Sequence, residues 1–460
     1  NVKFFNRIVN MGDKEMLTAE VFGGGELFGE VRISGAKNAT TKLLVASLLS
    51  QQRTVLRNVP DIEDVRLTVE LCRSLGAEVD WDKDIEVIEI YTPEIRVSQV
   101  PAVFSQVNRI PILLFGALLS RCPKGIRVPI LGGDAIGARM VNFHLEGLRK
   151  LGAEVSLDAR GYYAQAQKGL VGAYIDLPYP SVGATENLIL ASACAQGRTI
   201  IKNAALEVEI LDLILFLQKA GVEITTDNDR TIEIFGAEGL RDVEHTMIPD
   251  KIEAASFGMA AVLTGGRVFV RDAKQEHMIP FLKTLRSIGG GFTILDSGIE
   301  FFQEKPLQGG VVIETDVHPG FLTDWQQPFA VLLSQAEGSS VIHETVHENR
   351  LGYLKGLQQM GAKCQLFHQC LSSKACRYTT GNYPHSAVIY GVTPLRAAHL
   401  TIPDLRAGFA YVMAALVAEH GSSLIENAHI LDRGYYNWVE KLQSLGAKIQ
   451  VFTKETAHYR

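Results

Sequence analysis

Apolar and polar positions repeat along this chain in one arrangement, six times. An amphipathic run, such as Val65-Arg66-Leu67-Thr68-Val69-Glu70-Leu71 or Trp438-Val439-Glu440-Lys441-Leu442, ends in a small-residue turn. The turns are Leu75-Gly76-Ala77, Leu151-Gly152-Ala153, Ala220-Gly221-Val222, Ile288-Gly289-Gly290, Met360-Gly361-Ala362 and Leu445-Gly446-Ala447. Each leads into a β-prone pair such as Glu78-Val79 or Lys448-Ile449. The spacing predicts a helix before each turn and a strand after it. The glycine predicts a left-handed residue closing the helix. The turns recur about every 70–85 residues, the mark of an internally repeated architecture.

A second, more apolar helix is predicted in each repeat, over 39–49, 110–119, 187–195, 254–263, 328–336 and 407–418. These runs are rich in Ala, Leu, Val and Met all round, so they should be buried on every side. A polar or Gly break follows each, and then a strand: Thr54-Val55-Leu56, Ile126-Arg127-Val128, Thr199-Ile200-Ile201, Val268-Phe269-Val270, Ser340-Val341-Ile342 and Ser423-Leu424-Ile425. The unit reads strand, buried helix, strand, amphipathic helix, strand, strand. Six units group into two sets of three, with the buried helices inside and the sheets around them. The periodicity does not say where the chain crosses between sets. No Pro/Ser-rich linker marks a boundary, so the crossings must be short.

Composition narrows the function. The chain has 460 residues, enough for two to four domains. A 47% hydrophobic fraction supports a large core, and a net charge of −6 argues against a broad nucleic-acid footprint. An anionic substrate would need a local basic pocket. No apolar run reaches the roughly 18–20 residues of a membrane span, and residues 1–17 lack a secretory apolar region. Met11 or Met16 is a candidate start. Six cysteines form no CxxC pair. Cys72, Cys122 and Cys194 lie in apolar or helix-like runs and read as buried thiols. Cys364, Cys370 and Cys376 cluster with His368, but five-residue gaps do not match a zinc framework, so no metal is expected. A reducing cytoplasm fits this usage.

Candidate chemistry lies at the front of the buried helices. Lys37, Arg109 and Arg406 stand at such starts, where the helix dipole disfavours a cation. A bound anion would offset that repulsion. Acidic neighbours or solvent would do so as well. A glycine-rich stretch, Leu131-Gly132-Gly133-Asp134-Ala135-Ile136-Gly137-Ala138-Arg139, carries one acid and one base. It is not a P-loop, because no Gly-Lys-Ser/Thr follows.

Several motifs then occur in one order: Ser34-Gly35-Ala36-Lys37-Asn38-Ala39, the Gly132-to-Arg139 loop, Ser181-Val182-Gly183-Ala184-Thr185-Glu186-Asn187, Pro249-Asp250-Lys251-Ile252-Glu253, Thr323-Asp324, Glu344-Thr345-Val346-His347-Glu348-Asn349-Arg350, Asp404-Leu405-Arg406-Ala407 and Asp432-Arg433-Gly434-Tyr435. In these the chain resembles the enolpyruvyl transferase family over nearly its whole length after about residue 18. The likeness is to members that act on UDP-N-acetylglucosamine rather than on a shikimate phosphate.

The resemblance implies an α/β inside-out barrel fold with two domains of three βαβαββ units. One domain would hold 1–36 plus 249–460, the other 37–248 with the Gly-rich loop, and the active site would lie in the cleft. It implies transfer of the enolpyruvyl group of phosphoenolpyruvate to the sugar 3-hydroxyl, with release of phosphate, at the start of peptidoglycan precursor synthesis. It implies no cofactor. Lys37, Arg139 and Arg433 would surround the phosphate, with Arg406 and Arg433 toward the carboxylate. Asp324 would be the base near the hydroxyl, and Asp134 a catalytic loop residue. Asn38, Arg109, Met140, Val141, Asn142, Phe143, Ser181, Val182, Gly183 and Val346 would complete the substrate-binding set.

The chain departs from the family's common pattern at some of these positions. Asp134 stands where most members have a reactive Cys, which implies insensitivity to the epoxide fosfomycin. Met140 and Asn142 replace the usual Pro and Asp beside the uridine-binding stretch. Gln106 and Lys251 replace basic residues, the latter an Arg, and His347 a larger apolar one. Two rivals are therefore a paralogue acting on another nucleotide and a non-catalytic sugar-nucleotide binder.

Overall fold

The computed structural model describes residues 16–133, 136–137, 140–372, 376–378 and 381–453. The described residues form two compact units. One comprises those of 1–34, 135–139 and 249–460; the other comprises those of 35–134 and 140–248. No helix among the described residues is long and apolar enough to cross a membrane.

All six predicted turns close a helix through a left-handed glycine. Gly76, Gly152, Gly221, Gly289, Gly361 and Gly446 have φ between 94 and 114°. At Gly76 the geometry is complete: its N–H donates to the Arg73 carbonyl, and the Ala77 N–H donates to the Cys72 carbonyl. These bonds satisfy carbonyls that a helix end leaves orphaned. The amphipathic helices are Glu63–Leu75, Asn142–Lys150, Val208–Lys219, Ile279–Ser287, Leu354–Gln359 and Trp438–Ser444. Each is followed within a few residues by a strand.

The apolar runs are helices as expected, and they are buried on every side. In Lys251–Leu263, Gln326–Ser334 and Leu405–Leu416 no residue is exposed. These three pack on one another, and the strands of the first unit lie against them. In the second unit Leu114–Leu118 packs on both Lys37–Ala46 and Val182–Ser192. The predicted helix over 110–119 begins instead as a tighter 3₁₀ turn, Ile110–Leu113. Pro111 lacks an N–H, which suits it to a helix's first turn.

Among the described residues, five of six sheets have four strands in one pattern. In the sheet of Tyr174–Asp176, Arg198–Lys202, Glu223–Asp227 and Thr231–Phe235, the first two are parallel and flank the buried helix Val182–Ser192. The last two form an antiparallel hairpin, and the second strand of that hairpin pairs with Arg198–Lys202. The chain enters and leaves the second unit by exchanging strands. Phe28–Arg32 pairs in parallel with Arg267–Arg271 in the first unit. Val243–Thr246 pairs in parallel with Thr54–Arg57 in the second. The crossings are the short steps at residues 34–35 and 248–249. In strands such as Arg267–Arg271 the burial alternates: Val268 and Val270 enter the core and the arginines face out. This is the period-two pattern of a sheet with one buried face.

Cysteine burial is less uniform than the sequence suggested. Cys72 is buried, but Cys122 and Cys194 are half-buried. Both lie near helix ends, where the apolar runs stop short of full cover.

Candidate active site

In the first unit an ionic cluster forms at the front of Gln326–Ser334. Asp324 lies two residues before that helix, and 21% of its side chain is open. Arg350 Nη2 donates to Asp324 Oδ1 at 2.5 Å, and Arg406 Nε lies 3.4 Å from Oδ2. Burial alone pushes the Asp324 carboxyl up. The two guanidinium groups outweigh it and hold the group well below the usual carboxylate range. Asp324 is therefore ionised, and a weak base while both arginines grip it.

The two arginines differ. Arg350 Nη1 donates to Thr323 Oγ1 at 2.9 Å, and Gln327, with its amide turned to satisfy both ends, accepts from Nε at 2.8 Å. Thr323 in turn donates to Glu344 Oε2 at 2.7 Å. Glu344 is fully buried, and its other oxygen accepts the N–H groups of Val346 and His347. Arg350 is thus part of a satisfied frame. Arg406 is as deeply buried, yet its Nη1 has no hydrogen-bond partner among the described residues. A buried unpaired guanidinium N–H is costly unless a ligand takes it.

Arg406 is fixed from several sides. The Asp404 carboxylate caps its helix by accepting from the N–H groups of Arg406 and Ala407. The guanidinium sits 5.2 Å over the Tyr435 ring, which stacks on Phe409 at 4.6 Å. The Tyr435 hydroxyl lies 3.0 Å from Ser256 Oγ. Tyr435 follows the short helix Ala428–Arg433, which packs on Leu405–Leu416. Arg433 is the last residue of that helix. Structure thus gathers Asp324, Arg406, Arg433 and Val346 within the first unit. Asp250 caps Lys251–Leu263 in the same way. At these two helix fronts the protein's own carboxylate, not an outside anion, takes the free N–H groups.

In the second unit the sequence-predicted residues divide between two places. Lys37 opens the helix Lys37–Ala46, whose cap residue Ala36 has no side-chain acceptor. Lys37 Nζ lies 2.9 Å from Asp64 Oδ2, and Asn38 follows in the first turn. Elsewhere Asn142 and Phe143 open Asn142–Lys150, preceded by Val141 and an exposed Met140. Ser181 caps the helix that Val182 and Gly183 begin. These two helix fronts meet at His144, whose ring lies about 3.2 Å from where a Gly183 Cβ would be. Burial, together with the charge of Arg109, lowers the His144 pKa to about 3, so its ring is neutral. Its Nδ1 faces Asn187 Nδ2 at 3.2 Å, and Asn187 Oδ1 accepts from Gly116 N–H at 2.9 Å. Asp134 and Arg139 lie outside the described residues.

The sequence singled out neither Arg350 nor Tyr435 as a site residue, although both fall in the quoted motifs. A basic residue closing a segment that opens on a buried acid, Glu344 to Arg350, is the signal that was available. The sequence expected no metal at the cluster of Cys364, Cys370, Cys376 and His368, and the structure divides that cluster. Cys364 packs against the hydrophobic core. Cys370 and Cys376 instead meet His343 and His385.

Comparison with known proteins agrees with this architecture. A family model described as EPSP synthase (3-phosphoshikimate 1-carboxyvinyltransferase) matches residues 21–442. UDP-N-acetylglucosamine 1-carboxyvinyltransferase of Chlamydia abortus is 77% identical over 95% of this chain and 99% of its own length. The protein of that name from Protochlamydia amoebophila is 54% identical over 95% of this chain and 94% of its own. Among solved structures, the enolpyruvyl transferase NikO from Streptomyces tendae superposes with a TM-score of 0.84 at 25% identity, covering 95% of this chain and 99% of that one. EPSP synthase of Acinetobacter baumannii shares the fold at 18% identity and a TM-score of 0.74, over 95% of this chain and 100% of that one. The chain belongs to the enolpyruvyl transferase family, in its UDP-N-acetylglucosamine 1-carboxyvinyltransferase branch.

Proposed function

We propose that this chain transfers the enolpyruvyl group of phosphoenolpyruvate to the 3-hydroxyl of UDP-N-acetylglucosamine, releasing phosphate. The reading rests on the close relatives that bear this name and, within the molecule, on one observation: the buried, unpaired Nη1 of Arg406 beside an ionised Asp324. A planar guanidinium suits a carboxylate. Arg406 and Arg433 receive the phosphoenolpyruvate carboxylate, and Lys37, Arg139 and Arg433 its phosphate. Asp324 takes the proton of the sugar hydroxyl. The substrate carboxylate competes with Asp324 for Arg406, so binding loosens one of the two grips that keep Asp324 a weak base.

The sugar oxygen adds to C2 of phosphoenolpyruvate while a proton reaches C3, giving a phospholactoyl adduct. Loss of a C3 proton and of phosphate then leaves the enol ether. Asp134 is the proposed proton donor to C3. A free Asp titrates near pKa ~3.9, against ~8.5 for Cys, so bound anions must raise it. A carboxylate is also a poorer nucleophile than a thiolate. Fosfomycin therefore leaves the protein unmodified, and Asp134→Cys gains the adduct by mass spectrometry. The helix fronts at Asn142–Phe143 and Ser181–Gly183, with Arg109, receive the nucleotide.

Phosphate release tests the reading. It should need phosphoenolpyruvate and UDP-N-acetylglucosamine together, and shikimate 3-phosphate or UMP should not substitute. Turnover with UMP and none with the sugar nucleotide would overturn it in favour of a different nucleotide acceptor.

A further inference from the structure

We propose that the first unit carries a tetrahedral metal site of the zinc class, built from His343, Cys370, Cys376 and His385. It is separate from the residues assigned to enolpyruvyl transfer and does not depend on that reading. One donor atom from each of the four residues lies within 4.8 Å of all the others. Cys370 Sγ is 3.5 Å from Cys376 Sγ and 3.4 Å from His385 Nε2. With metal–sulfur bonds of about 2.3 Å and metal–nitrogen bonds of about 2.0–2.1 Å, a tetrahedron has edges of roughly 3.5–3.8 Å between such ligands. The two measured separations lie within about 0.3 Å of those edges.

The histidines show the second mark of a metal site. Both are fully buried. Both ring nitrogens of His343 lack a hydrogen-bond partner among the described residues. Its Nδ1 lies 3.5 Å from Glu314 Oε1, which is loose for a hydrogen bond but places a carboxylate behind the ring. His385 Nδ1 lies 3.1 Å from the Tyr383 carbonyl oxygen. His385 thus has an acceptor behind Nδ1 and turns Nε2 toward Cys370, and His343 has the Glu314 carboxylate near Nδ1. An oxygen behind the far ring nitrogen is the outer-shell pattern of ligating histidines, since it fixes the tautomer and the ring. As a purely packed core, the same arrangement leaves a buried imidazole nitrogen unsatisfied, which is costly.

The frame is fixed by backbone bonds. His343 ends the strand Gly338–His343 and stands in register with Ser386, next to His385. The Glu344 N–H donates to the His385 carbonyl at 2.7 Å, and the His385 N–H donates to the Phe367 carbonyl at 3.1 Å. The Leu371 N–H donates to Ser386 Oγ at 3.2 Å, which holds the segment that begins at Cys370. Two thiolates and two imidazoles are a soft, closed set that selects zinc, with no position left for a reacting water. The role is structural. The ion would pin the strand end from which Glu344 reaches the frame around Arg350.

The test uses the full chain, produced without a histidine tag and passed over chelating resin. Elemental analysis should find about one zinc per chain. Cys376→Ser, at one of the two cysteine ligands, should keep its circular dichroism and lose the zinc, while Cys364→Ser should keep it. Reconstitution with cobalt(II) should give the thiolate-to-metal absorption of a tetrahedral site, absent in Cys376→Ser. Removing zinc should lower the Tm of the wild-type chain and not that of Cys376→Ser. The proposal is overturned if zinc-supplemented protein holds no metal while its thiols react freely. It is equally overturned by a mass two hydrogens short from a Cys370–Cys376 disulfide, or by loss of zinc in Cys364→Ser rather than in Cys376→Ser.

Discussion

The buried clusters around Asp324 in the first unit and Asn187 in the second are held by opposite means. Around Asp324 the partners are full charges, Arg350 and Arg406, and one guanidinium N–H is left over. Around Asn187 the partners are neutral, and the amide is completely used. Its oxygen takes the Gly116 N–H, and its nitrogen faces the Ile112 carbonyl and the neutral His144 ring. A Cβ on Gly116 would meet the Asn187 carbonyl oxygen at 2.3 Å, so glycine alone lets these helices approach so closely. The first cluster has capacity to receive an anion. The second has none, and it joins two helices whose neighbours present their N-termini.

The largest effect should come from the frame of the charged cluster. Arg350→Ala leaves Asp324 with one partner and removes the donor that holds Thr323. Breaking a buried ion pair by removing one member costs about 3–5 kcal/mol. Urea unfolding should show a loss of that size. A loss under ~1 kcal/mol, the worth of a surface pair, would mean that Arg350 is not part of a frame.

Arg406→Ala should separate function from frame. Asp324 keeps Arg350, so the stability loss should be smaller than for Arg350→Ala. Transition-state stabilisation should fall by about 2–4 kcal/mol, the range for one preorganised charge donor. If kcat/KM for phosphoenolpyruvate stays near wild type, the unpaired Nη1 does not meet substrate.

In the neutral cluster Asn187→Ala should cost about 1–3 kcal/mol, the desolvation of buried groups left unpaired. Activity per folded molecule should change little. A cost as large as that of Arg350→Ala would erase the distinction between the clusters.

Much of this was legible in the sequence. The repeat announced itself because each helix must end somewhere, and a left-handed glycine such as Gly76 or Gly446 is the usual way to end one. The buried helices were legible because runs apolar all round and too short to cross a membrane must be covered by protein. The periodicity was silent on the crossings at 34–35 and 248–249, although the family resemblance puts the boundaries at 36–37 and 248–249. Phe28–Arg32 and Val243–Thr246 are ordinary strands, and only pairing reveals that they have changed places. Of the charged cluster, Asp324 and Arg406 could be named from motifs. The partner that holds them, Arg350, lies 26 residues from Asp324 and is joined to it only by folding. Cys364 and His368 misled for the converse reason. They are close in sequence to Cys370, but Cys364 turns into the core, while His343 ends the strand Gly338–His343 and His385 immediately precedes its partner strand Ser386–Gly391.

The smallest net effect concerns pH, and it is small because two larger ones oppose. Both groups lie in the second unit. Glu186 is pushed up to about 7 by burial, with Glu209 and Glu207 adding to it and Lys42 opposing. Its pKa is raised above the unfolded value, so folding is favoured as pH falls from about 7 to about 4.5. His144 is lowered to about 3, by burial first and Arg109 second. Its unfolded pKa is near 6.5, so the unfolded chain takes up the proton first, and stability falls as pH drops below that value. At 1.36 kcal/mol per pKa unit, each contributes up to ~3 kcal/mol across this window, with opposite sign. Between pH 7 and 4.5 the pair should cancel to within ~1 kcal/mol. Glu186→Gln removes one arm, so its stability should decline toward acid more steeply than wild type. His144→Gln removes the other and should become more stable toward acid relative to wild type. Urea unfolding of the three proteins across that range measures both slopes. Parallel curves for wild type and Glu186→Gln would mean that Glu186 is ionised in the fold at neutral pH, with Lys42 at 3.8 Å as its effective partner. The second unit would then hold a further covered ion pair besides Lys37–Asp64, and the contrast between charged and neutral clusters would narrow to the surroundings of Asn187.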